Sequence, residues 1–323
     1  MVEIKNKNFD LLVTPNHNML INVNKGTYKL MSAEDMVGRY QTFIPKQADW
    51  VGEDIDFFEL DEITFKKSFY GNKYEETKES IKIKTTEWAE FMGWFLSEGS
   101  FDNENIAQSH GYRVFITQVK EQNKKIIESL LNKMPFNWSQ DGANYIICNK
   151  QLWMYVKQFG KAHDKFIPGF IKSLSKKYLK IFYDVIMLGD GHTKKDGQQF
   201  YYTCSSKLRD DMQEIILKLG LSSNVYERTR TDVKKIKGRI SNSDKQYEIN
   251  VLRSENYNIR KRSVNKKKYS GKVYCAEVPN HTLYVKRNGK TTWCGNSIGV
   301  TTLNIPAIMH DAKEKGGDWD EFL

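Results

Sequence analysis

Two stretches of this 323-residue chain constrain its fold more than any others: FMGWFLSEG at 91–99 and FYDVIMLGDG at 182–191. Each is a run of bulky apolar residues ending in an acid between small neighbours, Ser97-Glu98-Gly99 in one and Gly189-Asp190-Gly191 in the other. Their length and lack of alternation predict helices, with Gly99 and Gly191 as the stops. One such run is an ordinary buried helix with a C-terminal glycine. Two, with acids 92 positions apart, indicate a duplicated αβ unit whose halves each deliver one acid to a shared place. Gly93, Ser97 and Gly189 thin one helix face, so the axes can approach below the usual ~8–10 Å. Val185 stands where the first copy has Gly93, which predicts an asymmetric contact. A carboxylate at a helix C-terminus faces the negative end of the dipole, and a second one adds repulsion, so a cation must offset both. Magnesium, held by carboxylates, water and substrate phosphate, suits that place.

After each acid the pattern repeats. An alternating strand at 112–118 precedes a helix with Ile126, Ile127, Leu130 and Leu131 on one face, and a strand at 200–205 precedes one with Leu208, Met212, Ile215, Ile216 and Leu219. With KFIP at 165–168, LSKKYLKIFYDVIMLGDG after it and YTCSSKLRDDMQEIILKLGL beyond, most of residues 85–255 resembles the LAGLIDADG homing endonucleases. The resemblance implies a mixed α/β (α+β) fold, a duplicated αββαββ domain about a pseudo-twofold axis, whose saddle-shaped sheets lie in the DNA major groove. It implies a monomer cutting a long double-stranded site, with two or three Mg2+ at the Glu98/Asp190 centre and the Gly99 and Gly191 backbone as further ligands. Lys165, the lysine of the KxIP segment, becomes the cation of one active site, and Lys245 its counterpart in the other. Arg113 and Gln118 on the first strand are assigned to DNA contact.

Charge agrees with a polyanionic partner: 50 basic against 40 acidic residues give +10. Arg228, Arg230, Lys234, Lys235, Lys237 and Arg239 form one cluster, read as phosphate contacts, and residues 260–268 hold a second. No apolar run approaches a membrane span and no secretory leader is visible, so the expected compartment is the cytoplasm. The four cysteines are scattered without a CxxC pair, which argues against zinc and a disulfide framework.

The two ends of the chain carry another pattern. TPNH at 14–17, VYCAEVPNHTLYV at 273–285 and Asn296-Ser297 together resemble the Hint domain of inteins. By that resemblance Thr14 and His17 polarise the upstream splice junction, Ser297 accepts an acyl group, Asn296 cyclises onto its own carbonyl, and His281 assists. Gly295 stands where the family has a histidine, and Cys275 where many members have aspartate; Cys275 is a proton-transfer group, an alternative nucleophile or a core cysteine. No leading Cys or Ser precedes TPNH, so the N-terminal intein piece is expected to be separate or lost, and the chain alone to cleave at most at Asn296. The expected organisation is an incomplete Hint domain at 1–60, a charged connector to residue 84, the endonuclease at 85–255, the Hint C-terminal part at 268–296 and host protein at 297–323. That last segment faintly resembles a phage terminase large subunit. A splicing element or DNA-binding protein whose endonuclease domain is inactive is the rival reading.

Overall fold

The computed structural model describes residues 1–24, 26–69, 72–229, 235–236, 239–240, 245–273, 276 and 278–295. The chain forms two compact units, one of Met1–Gln47 with Arg253–Leu323, the other of Ala48–Leu252.

In the second unit the two apolar runs are helices, Thr85–Glu98 and Lys176–Asp190. The first is buried almost all round, from Trp88 to Leu96; the second buries Tyr178, Leu179, Phe182, Tyr183, Val185 and Ile186 and turns Lys180 and Asp184 outward as an ion pair. Each helix runs directly into the edge strand of its own antiparallel sheet. The first sheet has the order Gly99–Phe101, Arg113–Thr117, Asn144–Cys148, Trp138–Asp141, and the second half of this unit repeats that order with Gly191–Thr193, Gln199–Thr203, Lys245–Leu252, Ser222–Thr229. Helices Glu121–Leu131 and Ser206–Lys218 follow the second strand in each half. The fold is therefore mixed α/β and internally repeated.

Two expectations are corrected, while Gly99 and Gly191 are the helix stops that the sequence predicts, both in extended backbone, φ −86° and −92°. What they supply is space: a Cβ on Gly99 would lie 2.6 Å from Phe95 Cα, and one on Gly191 2.8 Å from Met187 Cα. Ile126 is 37% exposed, because Asn123 takes the inward position of that helix. Residues 48–84 are structure rather than connector. Phe57–Leu60 pairs with Ile81–Lys84, which leads into the first helix, and Ile63–Phe69 pairs with Asn72–Lys78. Phe58 stacks on Trp88 at 4.1 Å; burying such a ring stabilises by about 2–3 kcal/mol. These contacts draw residues 48–60 into the second unit.

The first unit is β-rich and built from both ends of the chain. Val2–Asn6 lies between Phe9–Val13 and Val264–Lys266; a second sheet has the order Asn256–Arg260, Gln41–Pro45, Asn18–Asn24, Thr27–Ser32. Thr282–Arg287 and Lys290–Gly295 form a hairpin whose Asn288 and Gly289 both have positive φ, the geometry that matches strand twist. Buried Asp10 pairs with Arg287 and accepts from Asn288 Nδ2 at 3.1 Å. The basic turn thus spends its charge internally.

Candidate active site

The two helices meet through their small residues. A Cβ on Gly93 would stand 2.9 Å from Val185 Cβ, and one on Gly189 2.5 Å from Ser97 Cβ. Residues 93 and 185, like 97 and 189, are 92 apart, so equivalent positions of the two halves face each other, as a twofold axis requires. In each pair one member is glycine and the other fills its space. Ser97 Oγ turns back to donate to Gly93 O at 2.9 Å, which keeps it narrow.

This seam brings the acids together. A Cβ on Gly189 would lie 3.5 Å from Glu98 Cγ, one residue from Asp190. Burial, and then the Glu98 charge, push the Asp190 carboxyl up to about 7, against the opposing pull of Lys165 and Lys120. Lys165 is 7% exposed and its three ammonium protons are committed: Nζ donates to Phe95 O at 3.0 Å, Leu96 O at 3.1 Å and Gly99 O at 3.0 Å. It closes the C-terminus of the first helix and neutralises the dipole beneath Glu98. Desolvation pulls the ammonium down to about 8, with Asp190 and then Glu98 opposing, so it stays mostly charged at neutral pH. The Gly99 carbonyl assigned to metal is thereby engaged by Lys165.

Leu188, equivalent to Leu96, has a different cap: Asn123 Nδ2 donates to its carbonyl at 3.5 Å. A half-open cavity of about 270 Å³ lies beside Asp190, lined by Leu96, Ser97, Lys165, Thr203, Cys204 and Leu208 among others. The carboxylates and carbonyls at the seam are oxygen donors, the kind a hard divalent cation takes. Among the described residues no group of three His, Cys, Asp or Glu side chains gathers for a metal.

Other assigned residues stand elsewhere. Lys245 pairs with Glu227 at 2.9 Å across neighbouring strands; the cations that act on Asp190 are Lys165 and Lys120. Gln118 is buried rather than offered to DNA, its amide donating to Glu98 Oε1 at 3.4 Å while its oxygen accepts from Val119 N and Lys120 N at 2.9 Å each. Arg113 pairs with Asp102 at 2.7 Å and Arg228 with Glu248 at 2.6 Å. Lys235 and Arg239 lie on the short paired strands Lys235–Ile236 and Arg239–Ile240. Arg230, Lys234 and Lys237 fall outside the described residues. Sequence reading missed Asn123, Lys120 and the role of Gln118. The available signal was a polar residue at an inward position of an otherwise apolar pattern, as Asn123 is.

In the first unit, Thr14 and His17 share one turn, with His17 N donating to Thr14 O at 3.1 Å. Burial pulls the His17 imidazole down to about 4, which keeps it neutral. His281 is exposed with φ 54°, and the next residue, Thr282, pairs with Gly295 at the end of the hairpin. Cys275, Asn296, Ser297 and the segment to 323 lie outside the described residues. No helix among the described residues is long and apolar enough to cross a membrane.

Comparison with known proteins adds the following. The ATP-dependent Clp protease proteolytic subunit of Chlamydomonas moewusii is 32% identical over 237 residues, covering 70% of this chain and 23% of that protein. The C-terminal section of the DNA-directed RNA polymerase subunit beta of Stigeoclonium helveticum is 27% identical over 356 residues, covering 92% and 31%. The ribonucleoside-diphosphate reductase subunit beta of Aquifex aeolicus is 22% identical over 316 residues, covering 92% and 42%. The chain thus spans less than half the length of these curated relatives. Among solved structures, the homing endonuclease I-DmoI in complex with DNA and Mn aligns with 52% of this chain and 90% of its own at 14% identity and TM-score 0.34. Residues 179–270, which begin within the second acid helix and include the strands from Gly191–Thr193 to Lys245–Leu252, match the LAGLIDADG-like domain, so this chain carries a domain of that kind.

Proposed function

We propose that this chain is a magnesium-dependent, site-specific double-strand DNA endonuclease joined to the C-terminal part of a protein-splicing domain. The observation that carries the nuclease reading is the meeting of Glu98 and Asp190 at the seam of two equivalent helices, beside a buried ammonium and a half-open cavity. The relatives support a transplanted module. A protease subunit, a polymerase subunit and a reductase subunit share no chemistry, yet each matches this chain over a minority of its length.

Two acids, one of which burial and then the charge of the other raise to about 7, with the nearest buried ammonium already committed to carbonyls, fit a divalent cation. Glu98 and Asp190 would hold it; once bound, magnesium would supply charge neutralisation at the phosphate and acidify nearby water. Gln118 fixes the Glu98 carboxylate through its amide, and Lys165 contributes positive potential to the cavity where a phosphate would sit. The exposed basic residues of the second unit bind the DNA backbone.

For the splicing part, neutral His17 in the Thr14 turn suits hydrogen bonding to a peptide group, and His281 suits proton transfer to a cyclising Asn296 that releases Ser297. The decisive experiment is magnesium-dependent cleavage of a plasmid library that includes uninterrupted host genes. Asp190→Asn abolishes cutting; if it and the wild type behave alike, the nuclease reading fails. For splicing, a supplied N-terminal intein piece should give ligated product, and Asn296→Ala should stop its release.

A further inference from the structure

Two buried lysines face different partners, and the difference is chemical. Lys165 donates to three carbonyls, groups that only accept, so that contact requires the ammonium. Lys46, in the first unit, meets a hydroxyl instead: its Nζ lies 2.5 Å from Ser254 Oγ. A hydroxyl accepts from an ammonium and donates to a neutral amine, so this contact survives loss of the proton.

Local structure brings the pair together. Lys46 follows the strand Gln41–Pro45, and Ser254 lies just before the strand Asn256–Arg260. Pro45 pairs with Asn256 and Lys46 N donates to Glu255 O at 3.0 Å, which sets the two side chains side by side. Lys46 is 3% exposed whereas Ser254 is exposed, so the amine is sealed behind a hydroxyl that reaches solvent. The Tyr257 ring, centred 4.4 Å from Nζ, also faces the amine; Tyr284 and Glu255 meet the Lys46 backbone, and Arg253 and Glu255 flank Ser254 in the chain. Desolvation pulls the ammonium down from the ordinary 10.5 to about 8, with no carboxylate opposing it. A neutral amine is therefore well populated in mildly alkaline solution, poised against an exposed nucleophile, the arrangement by which a lysine serves a serine as base.

We propose that Ser254 and Lys46 form an acyl-accepting site, Ser254 the nucleophile and Lys46 its base, with activated esters as substrates. Oγ attacks the ester carbonyl carbon while its proton passes to Lys46 Nζ. The tetrahedral adduct collapses to an Oγ-acyl serine, and the leaving oxygen departs as an alcohol or phenol with the proton from Nζ, which returns the amine to its neutral form. Ester and serine hydroxyl thus give a new ester and a free alcohol. No third side chain orients the amine among the described residues, so the leaving group must be a good one, as in aryl esters. The site shares no residue with Thr14, His17, His281, Asn296 and Ser297, and it depends on neither the nuclease nor the splicing reading.

The test treats the full chain briefly with p-nitrophenyl acetate and maps acetylated peptides by mass spectrometry, with exposed Ser139 as the internal control. Ser254 is expected to react about 100-fold faster than Ser139 or more, the scale of general-base assistance. Its rate should rise with pH and level off above about 8. Lys46→Arg keeps a cation that does not release its proton. In that variant, and in Lys46→Met, Ser254 should fall to the Ser139 rate and lose the pH step, while Ser139 is unchanged and circular dichroism reports a retained fold. Ser254→Ala should remove the mark from that peptide. Ser254 reacting no faster than Ser139 in the wild type, acetyl found on Lys46 in place of Ser254, or a folded Lys46→Arg chain as reactive as the wild type overturns the proposal. The rate ratio and pH profile of the wild type decide the matter even where a variant fails to fold.

Discussion

Asp190 is held at a cost to the fold, and the direction of that cost is testable. Its carboxyl is raised from the ordinary 3.8 to about 7. Between those values the native state binds a proton that the unfolded chain has released, so metal-free stability falls as pH rises from about 4 to 7 and is lowest above it. Asp190→Asn removes the charge and keeps the shape. In EDTA at pH 8 it should raise stability by about 1–3 kcal/mol and flatten the dependence of Tm on pH. A variant with unchanged Tm and an unchanged pH slope would show that Asp190 is not strained. Lys165 works in the opposite sense. Lys165→Met leaves three end carbonyls without their donor and is expected to cost about 2–4 kcal/mol by urea denaturation. Loss of cutting in that variant without loss of stability would instead assign Lys165 to the chemistry alone.

At the scale of elements, the seam is a pair of complementary shapes. Gly93 accepts Val185 and Gly189 accepts Ser97, although a glycine within a helix costs about 1 kcal/mol relative to alanine. The close helix packing that the glycines permit offsets that. Gly93→Val should cost about 1–3 kcal/mol through overpacking, and adding Val185→Gly in the same chain should recover most of it, since the swap exchanges the pair across the axis. A double variant no better than the single one would reject equivalent packing. The seam was legible in the sequence because its signal is local: apolar run, small residues, acid, glycine, twice. The caps were not. Lys165 meets Leu96 from 69 positions away and Asn123 meets Leu188 from 65, contacts that no periodicity encodes. Lys245 was sought as a symmetric partner to Lys165, yet the repeat is symmetric in backbone and asymmetric in side chains. The strands of 48–84 were also missed, since charged residues run through the strands themselves, as at the opposed Lys66 and Glu75, and make them read as a connector.

At the scale of the molecule, both ends of the chain enter one β-rich unit, and the chain leaves and returns to it at a single place. Pro45 pairs with Asn256, and Lys46 N donates to Glu255 O at 3.0 Å. Lys46 Nζ reaches Ser254 Oγ at 2.5 Å and lies 4.4 Å from the Tyr257 ring centre. Tyr284 OH and Trp293 Nε1 bind the carbonyls of Lys46 and Gln47 from the closing hairpin, at 3.4 and 2.8 Å. The two crossings are thus tied by backbone and side chains of the first unit alone. A loop joining such neighbours costs little closure entropy, since that cost grows only with the logarithm of length. Replacing residues 48–252 with a short Gly-Ser linker should therefore leave a folded first unit. Circular dichroism should report β structure and a single cooperative transition, with the fluorescence of Trp293 shifting at the same midpoint. In that shortened chain Lys46→Met, which removes the buried ammonium, should lower the midpoint only modestly, because burial already pulls Lys46 down to about 8 and makes its charge expensive to keep. A shortened chain without a cooperative transition would mean that the first unit depends on the second for its fold, and the two units could then not be separated by excision.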